Sequence, residues 1–364
     1  MWFNYNEERM NRIETKKIKI GNVTLGGSNK ILIQSMCDIK TSNYKKVIKQ
    51  INECARLGAS MMRVSIQDND DVSAITKIKE KVSIPVICDI HYSLDFALKA
   101  IGAGADAIRI NPGNINNNDK LNVLLKIAHR DRIPIRIGVN EGSLKISKEE
   151  KKDNEKIAKA LVDKTLEYVK YFEEHNFDNI VLSVKSSSPD VTLIAYRMIA
   201  KKTNYPIHIG VTESGFDEVG IIRSISVLSP LILEGIGSTI RISLTKDPYK
   251  EIITAKRLLH DLGLYSNYPT LISCPTCGRT MVKNIKVYCE KTLKYLEDNN
   301  INIKVAIMGC PVNGINEAKD ADLGLAGAGH DFIIFKKGKE IAKVKEKDAL
   351  KALFAEIDTF KKVK

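Results

Sequence analysis

Nowhere does the chain reach about 18 consecutive apolar residues, the length that a membrane-crossing helix needs, so no transmembrane span is expected. Its opening stretch, MWFNYNEERMNRIETKKIKI, is charged and holds no apolar core of the kind a secretion signal carries. A cytoplasmic location is therefore expected. Cysteine is scarce and odd in number, seven in 364 residues, which argues against a disulfide framework. In a reducing compartment paired thiols are instead candidates for metal or redox chemistry. Cys37, Cys54, Cys88 and Cys289 stand alone and read as small buried hydrophobes. Aromatic side chains make up 6% of the chain, too few beside its lysine runs to stack nucleic-acid bases. No GxGxxG follows the first strand, which counts against an open dinucleotide-binding sheet.

What is present begins with charge. The formal net charge is +13, yet the lysines are dispersed among acids, as in SKEEKKDNEK and FKKGKEIAKVKEKDALK. Mixed runs of this kind are solvated helix faces. The basic excess therefore points to an anionic small-molecule substrate, and neither nucleic acid nor membrane is expected as a partner.

Residues 16–30, KKIKIGNVTLGGSNK, read as two short strands about a GN turn. A rhythm follows in which short apolar runs alternate with amphipathic helical patterns. The runs lie at 31–36, 60–66, 84–91, 107–114, 133–140, 179–187, 206–215 and 239–245. Between them, YKKVIKQINECARLG (44–58) has helical spacing with Gly58 as a stop signal, and 154–176 is similar. Eight such units over roughly 230 residues predict an α/β fold of the (β/α)8, TIM-type barrel class, whose usual size is ~250 residues. The rhythm ends at Leu264. Residues 265–364 read as a small α/β domain: a strand into a CPTC turn, a helix at about 281–299, a strand at 303–309, a loop, a strand pair turning at KKGK, and a helix from about 347 to 362.

In such a barrel, chemistry sits at the C-terminal ends of the strands. Those ends supply Arg63, Asp89, His91, Arg109, Asn111, Asn114, Arg136, Asn140, Lys185, Glu213, Arg241 and Ser243. Four arginines and a lysine would converge on one opening, where the strand ends offer only Asp89 and Glu213 as acidic partners. Cations do not gather in a partly buried mouth without an anion to neutralise them. Forked guanidinium groups suit phosphate oxygens, so a diphosphate is the natural ligand. His91 and the strand residue His208 read as structural.

The stretch LISCPTCGRT places Cys274 and Cys277 two residues apart, and the next cysteine in a loop is Cys310, in IMGCPVNGINEA. A zinc ribbon would want a second C-x2-C or a histidine pair. Three thiolates in Cys-Pro turns, whose backbone N–H groups can bond to sulfides, fit a [4Fe–4S] cluster better, with one iron open or held by a weaker oxygen ligand. A structural zinc site completed by His330 stays open, and with it a barrel enzyme acting on another phosphorylated or pterin-like substrate.

The segments IRINPGNI, IRIGVNEGSL, SVKSS, GVTESG, IRISLT, SCPTCGR and GCPVNG occur in this order. Together they resemble the hydroxymethylbutenyl diphosphate synthases of the non-mevalonate isoprenoid pathway, over nearly the whole chain. The resemblance implies reductive opening and dehydration of a cyclic methylerythritol diphosphate. It implies a [4Fe–4S] cluster held by Cys274, Cys277, Cys310 and Glu317. It implies a diphosphate grip by Arg63, Arg109, Arg136, Asn140, Lys185 and Arg241, with Glu213 as an acid/base or positioning group. It also implies flavodoxin or ferredoxin as electron donor, and a homodimer in which one subunit's cluster domain caps the other's barrel. One departure stands out. Where the family's loop reads NGPGEA, this chain reads NGINEA. Asn316 tolerates the left-handed backbone that glycine usually supplies, while loss of proline loosens the loop carrying Glu317.

Overall fold

The structure is a computed structural model and describes residues 12–27, 30–91, 93–114, 118–144, 147, 152–245, 247–275, 277–311 and 318–363. The chain divides into two compact units, Met1–Leu264 and Tyr265–Lys364.

The first unit is a nearly closed parallel barrel. Its strands are β3 (Leu32–Met36), β4 (Met61–Ile66), β5 (Val86–Ile90), β6 (Ala107–Ile110), β7 (Ile135–Asn140), β8 (Ile180–Lys185), β9 (His208–Ile209) and β10 (Thr239–Ile240). They run in the order β8-β7-β6-β5-β4-β3-β10-β9, and a single bridge between Leu182 and Ile207 links the two ends. The last two strands are much shorter than the apolar runs that carry them. The residues beyond Ile209 and Ile240 leave the ladder and form the loops of the mouth.

The strands read as continuous apolar runs because both faces are covered. Val86–Ile90 and Ala107–Ile110 are buried at every position. The covering helices follow the amphipathic pattern: α1 (Tyr44–Leu57) turns Val47, Ile51 and Cys54 inward and stops at Gly58, whose φ of 112° suits glycine. Five further helices pack between successive strands, α2 (Asn69–Lys79), α3 (Leu94–Gly102), α4 (Asn118–Arg130), α5 (Asn154–Glu174) and α6 (Pro189–Lys202), and α7 (Asp217–Leu233) and α8 (Pro248–Asp261) complete the layer. Ser188 and Asp247 cap α6 and α8 by accepting backbone N–H bonds, each just before a proline at the first helical position.

The hairpin expected at 16–30 is β1 (Ile18–Ile20) paired antiparallel with β2 (Val23–Leu25). Ile18, Ile20 and Leu25 pack against Met61, Ile87, Ala107 and Val181, each the first or second residue of its barrel strand. The hairpin thus plugs the N-terminal end of the barrel and leaves the opposite end for the site.

The second unit is a five-stranded sheet in the order β11 (Thr270–Ser273), β12 (Lys304–Met308), β13 (Leu323–Ala328), β14 (Asp331–Lys336) and β15 (Lys339–Lys345). The first three strands are parallel and the last two antiparallel. Helices α9 (Ile285–Asp298) and α10 (Ala349–Asp358) bury Tyr288, Leu296, Leu353 and Ile357 against it. Strand β13, LGLAGA, falls where only a loop was expected. Its glycines hide the strand signal, and packing explains them. A Cβ at Gly324 would lie 2.0 Å from the Phe335 ring, and one at Gly327 would lie 2.3 Å from Val282. Large neighbours occupy the space that β-branched side chains fill elsewhere.

Candidate active site

At the C-terminal end of the barrel lies a cavity of about 240 Å³. Arg63, Arg109, Arg136, Asn140, Lys185 and Arg241 all line it, together with Asp89, His91 and Ser243. The register explains the convergence. Arg63, Asp89, Arg109 and Arg136 follow one another across β4 to β7, with Asp89 opposite Arg109 and Arg109 opposite Arg136. Equivalent positions on neighbouring parallel strands point to the same side, here into the barrel.

Asp89 is the hub. Its carboxylate takes Arg109 Nη1 at 3.1 Å and Arg63 Nε at 3.4 Å and is 1% exposed. Burial alone would raise its pKa. The opposing charges of Arg63, Arg109 and Arg136 win and hold it at about 2. The arginines are strained the other way. Burial lowers Arg63 to about 10 against the pull of Asp89, and it pushes Arg136 well below its ordinary value. Arg136 donates from Nη1 to Gln34 Oε1, and its Nε lacks a partner among the described residues. A buried guanidinium with an idle donor is prepared for an oxyanion.

The second acidic partner was missed in the sequence. Glu213 pairs with no arginine among the described salt bridges. Its place is taken by Glu251, a residue of α8 that is 3% exposed. Glu251 receives Arg241 through two bonds of 3.1 Å, the Ser35 hydroxyl at 2.6 Å and the Leu244 amide at 2.9 Å. Its position six residues past the end of the last run made it look like one more charge on a helix. The one available signal was its spacing from Ile252 and Ala255, on the buried side of α8. Glu213 instead sits exposed in the loop after β9, with a φ of 51° that a non-glycine residue rarely adopts. Its neighbour Thr212 lines the cavity.

Of the histidines, His208 is buried. Its Nδ1 meets Thr239 Oγ1 at 2.7 Å, its Nε2 meets Lys185 Nζ at 3.4 Å, and its carbonyl accepts the Tyr196 hydroxyl. His91 lines the cavity and also borders a second one of about 380 Å³ beside Phe96. Asn111 is buried and its side chain accepts the Gly113 amide.

In the second unit, Cys274 follows β11 and Cys310 follows β12, and the two strands are parallel neighbours. Their loops touch: the Met281 amide donates to the Gly309 carbonyl at 2.8 Å, and the Gly309 amide donates to Cys274 Sγ at 3.1 Å. A Cβ at Gly309 would lie 2.9 Å from Thr280, so the approach requires glycine. Cys277 is exposed, and the Arg279 amide and side chain lower its pKa, favouring the thiolate. None of the three is in a disulfide. Amide-supported sulfurs on adjoining loops fit a cluster, which needs thiolates and N–H donors together. Among the described residues no three His, Cys, Asp or Glu side chains gather tightly enough to hold one metal ion. Cys289 lies half-buried on α9 against the sheet core. Glu317 and its NGINEA loop lie outside the described residues.

Comparison with known proteins agrees with this geometry. Residues 15–256 match the GcpE TIM-barrel domain, and residues 270–359 match the GcpE protein C-terminal domain. The chain is 45% identical over 351 residues to the 4-hydroxy-3-methylbut-2-en-1-yl diphosphate synthase (flavodoxin) of Clostridium perfringens, covering 96% of this chain and 100% of that one. The enzymes of the same name from Clostridium acetobutylicum (44% over 352 residues, 96% and 99% covered) and Bacillus subtilis (42% over 355 residues, 96% and 93% covered) are similar. Among solved structures, a dihydropteroate synthase from Xanthomonas albilineans superposes with a TM-score of 0.51 at 10% identity, covering 69% of this chain and 98% of that one. That likeness speaks to the fold alone. With both domain models matched in order and relatives above 40% identity over nearly the full length, the chain belongs to the GcpE family, that of the 4-hydroxy-3-methylbut-2-en-1-yl diphosphate synthases.

Proposed function

We propose that the chain converts 2-C-methyl-D-erythritol 2,4-cyclodiphosphate into 4-hydroxy-3-methylbut-2-enyl diphosphate. The cyclic substrate takes up two electrons and a proton, a C–O bond to the diphosphate breaks, and a hydroxyl leaves as water. The observation that carries this reading is the excess of cations around one cavity: four arginines and a lysine against the two carboxylates Asp89 and Glu251.

The chain's own part is to bind and hold. Arg63 and Arg109, braced from behind by Asp89, and Arg241, braced by Glu251, present guanidinium faces to the diphosphate. Arg136 offers its idle Nε, and Asn140 adds a neutral polar group at the rim. Because the braces are buried, these donors are oriented before substrate arrives and need little reorganisation. Glu213, exposed on the loop after β9 next to Thr212 of the cavity wall, is the group we assign to position or protonate the departing hydroxyl.

Cys274, Cys277 and Cys310 would hold a [4Fe–4S] cluster, with Glu317 as fourth ligand. When bound, the cluster would supply the electrons and a Lewis-acidic iron. A flavodoxin, named for the relatives, or a ferredoxin would deliver the electrons, and a net charge of +13 suits an acidic donor. Among the described residues no helix is long and apolar enough to cross a membrane, and we place the enzyme in the cytoplasm. Val219 and Ile222, about 60% exposed on α7, support a homodimer.

Iron, acid-labile sulfide and zinc content of protein purified without oxygen tests the cofactor directly. About four irons and four sulfides per chain without zinc support the proposal. One zinc and no sulfide would remove it.

A further inference from the structure

Lys185 is the odd member of the cationic ring. Each of Arg63, Arg109 and Arg241 has a carboxylate, and Arg136 has Gln34. Lys185 has neither. Among the described residues its Nζ meets only His208 Nε2, at 3.4 Å. Space is tight: a Cβ at Gly210 would lie 2.8 Å from both that Nζ and the Arg241 carbonyl oxygen.

The groups around it are mostly positive. Arg63, Arg109, Arg136 and Arg241 surround the amine, while Asp89 is engaged by two of them and Glu251 by another. His208 lies below, and Tyr196 of α6 points its hydroxyl at the His208 carbonyl. Thr239 orders the imidazole. If Nδ1 carries the proton toward Thr239 Oγ1, Nε2 is left as an acceptor facing Lys185.

A fifth positive charge here is costly while the cavity holds no anion. A diphosphate changes that balance at once. We propose that Lys185, seated on His208, is an uncharged amine in the substrate-free protein and takes up one proton as the diphosphate binds. The ammonium then donates both to the diphosphate and to His208 Nε2. The proton comes from solvent, and no bond other than N–H forms or breaks. The charge is therefore assembled only when its counter-ion is present. When the ring opens, the diphosphate gains a further negative charge, and the ammonium is already in place to meet it.

The direction of titration agrees. Burial first, and then the four arginines, push the Lys185 ammonium well below its ordinary value, and burial with Arg136 and Lys185 does the same to His208. The proposal rests on the cyclic diphosphate being the ligand, and the test separates the two.

The experiment is anaerobic calorimetry of the oxidised holoenzyme with 2-C-methyl-D-erythritol 2,4-cyclodiphosphate, in buffers of differing ionisation enthalpy. Without reductant there is no turnover. The probe is a phosphodiester with no titration near neutrality, so any protons counted belong to the protein. Uptake of about one proton per site is expected at and above neutral pH, falling as the pH drops. Lys185→Met should bind more weakly and abolish the uptake. Tight binding with no proton uptake at any pH overturns the proposal and leaves the substrate reading intact. Uptake undiminished in Lys185→Met also overturns it. Absence of binding overturns both.

Discussion

Arg241 and Glu251 face each other through two parallel bonds, Nε to Oε2 and Nη2 to Oε1, each 3.1 Å. The carboxylate comes from helix α8 and the guanidinium from the loop leaving β10, so the pair ties the barrel's outer layer to its mouth. Glu251 never reaches the cavity lining; it acts through Arg241.

Removing Glu251 sets two effects against each other. Losing a negative charge makes the mouth more positive, which alone would tighten anion binding. Losing the brace frees Arg241 to leave its position. We expect the brace to dominate, because a fixed fork geometry is what bidentate recognition requires. Glu251→Ala should therefore raise KM about 10-fold or more, with Glu251→Asp recovering part of it. Tighter binding in Glu251→Ala would assign the residue to charge balance instead.

Asp89 predicts an acid transition. Its pKa is about 2 in the folded protein against an ordinary 3.8. The unfolded chain thus binds more protons across that interval. The stability owed to ionised Asp89 is complete above about pH 4 and is lost as the pH falls toward 2, roughly 2 kcal/mol in all. Chemical denaturation of Asp89→Asn should start from lower stability at neutral pH and show a shallower decline in this window. An identical pH profile in the two proteins would refute the assignment.

Glu317→Ala tests the proposed fourth ligand. If Cys274, Cys277 and Cys310 hold the cluster as proposed, three thiolates should retain most of the iron without the carboxylate. Iron content should stay above about half of the wild-type value, with turnover falling about 100-fold. Full activity in this variant would show that the NGINEA loop supplies no ligand.

The cysteines separate cleanly. Cys277→Ala should lose the brown colour and the iron on purification. Cys289→Ala should retain both, since that thiol packs against the sheet core from α9. Its stability cost should be about 1 kcal/mol, as expected for a half-buried small side chain. Loss of iron in Cys289→Ala would mean that the wrong third thiol had been chosen.

Much of this was legible in the sequence. The eight apolar runs and Gly58 announced the strands and a helix stop, because continuous burial and a positive φ leave plain residue signatures. The same periodicity placed Arg63, Arg109 and Arg136 at one end of the barrel. Three features were hidden. Strand β13 is written in glycine and alanine because Phe335 and Val282 fill the space above it. Glu251 looks like any helix carboxylate until its partners Ser35 and Arg241, far apart in the chain, are seen together. His208 carries no sign of its bond to Lys185, since that contact depends on the closing of the barrel between β8 and β9.

The most direct test is turnover. Protein purified and handled without oxygen is given a strong low-potential reductant and 2-C-methyl-D-erythritol 2,4-cyclodiphosphate, and the products are separated. The account predicts 4-hydroxy-3-methylbut-2-enyl diphosphate, formed with consumption of two electrons per molecule and lost in Cys277→Ala. Iron-replete protein that binds the cyclic diphosphate but leaves it unchanged under these conditions would contradict it.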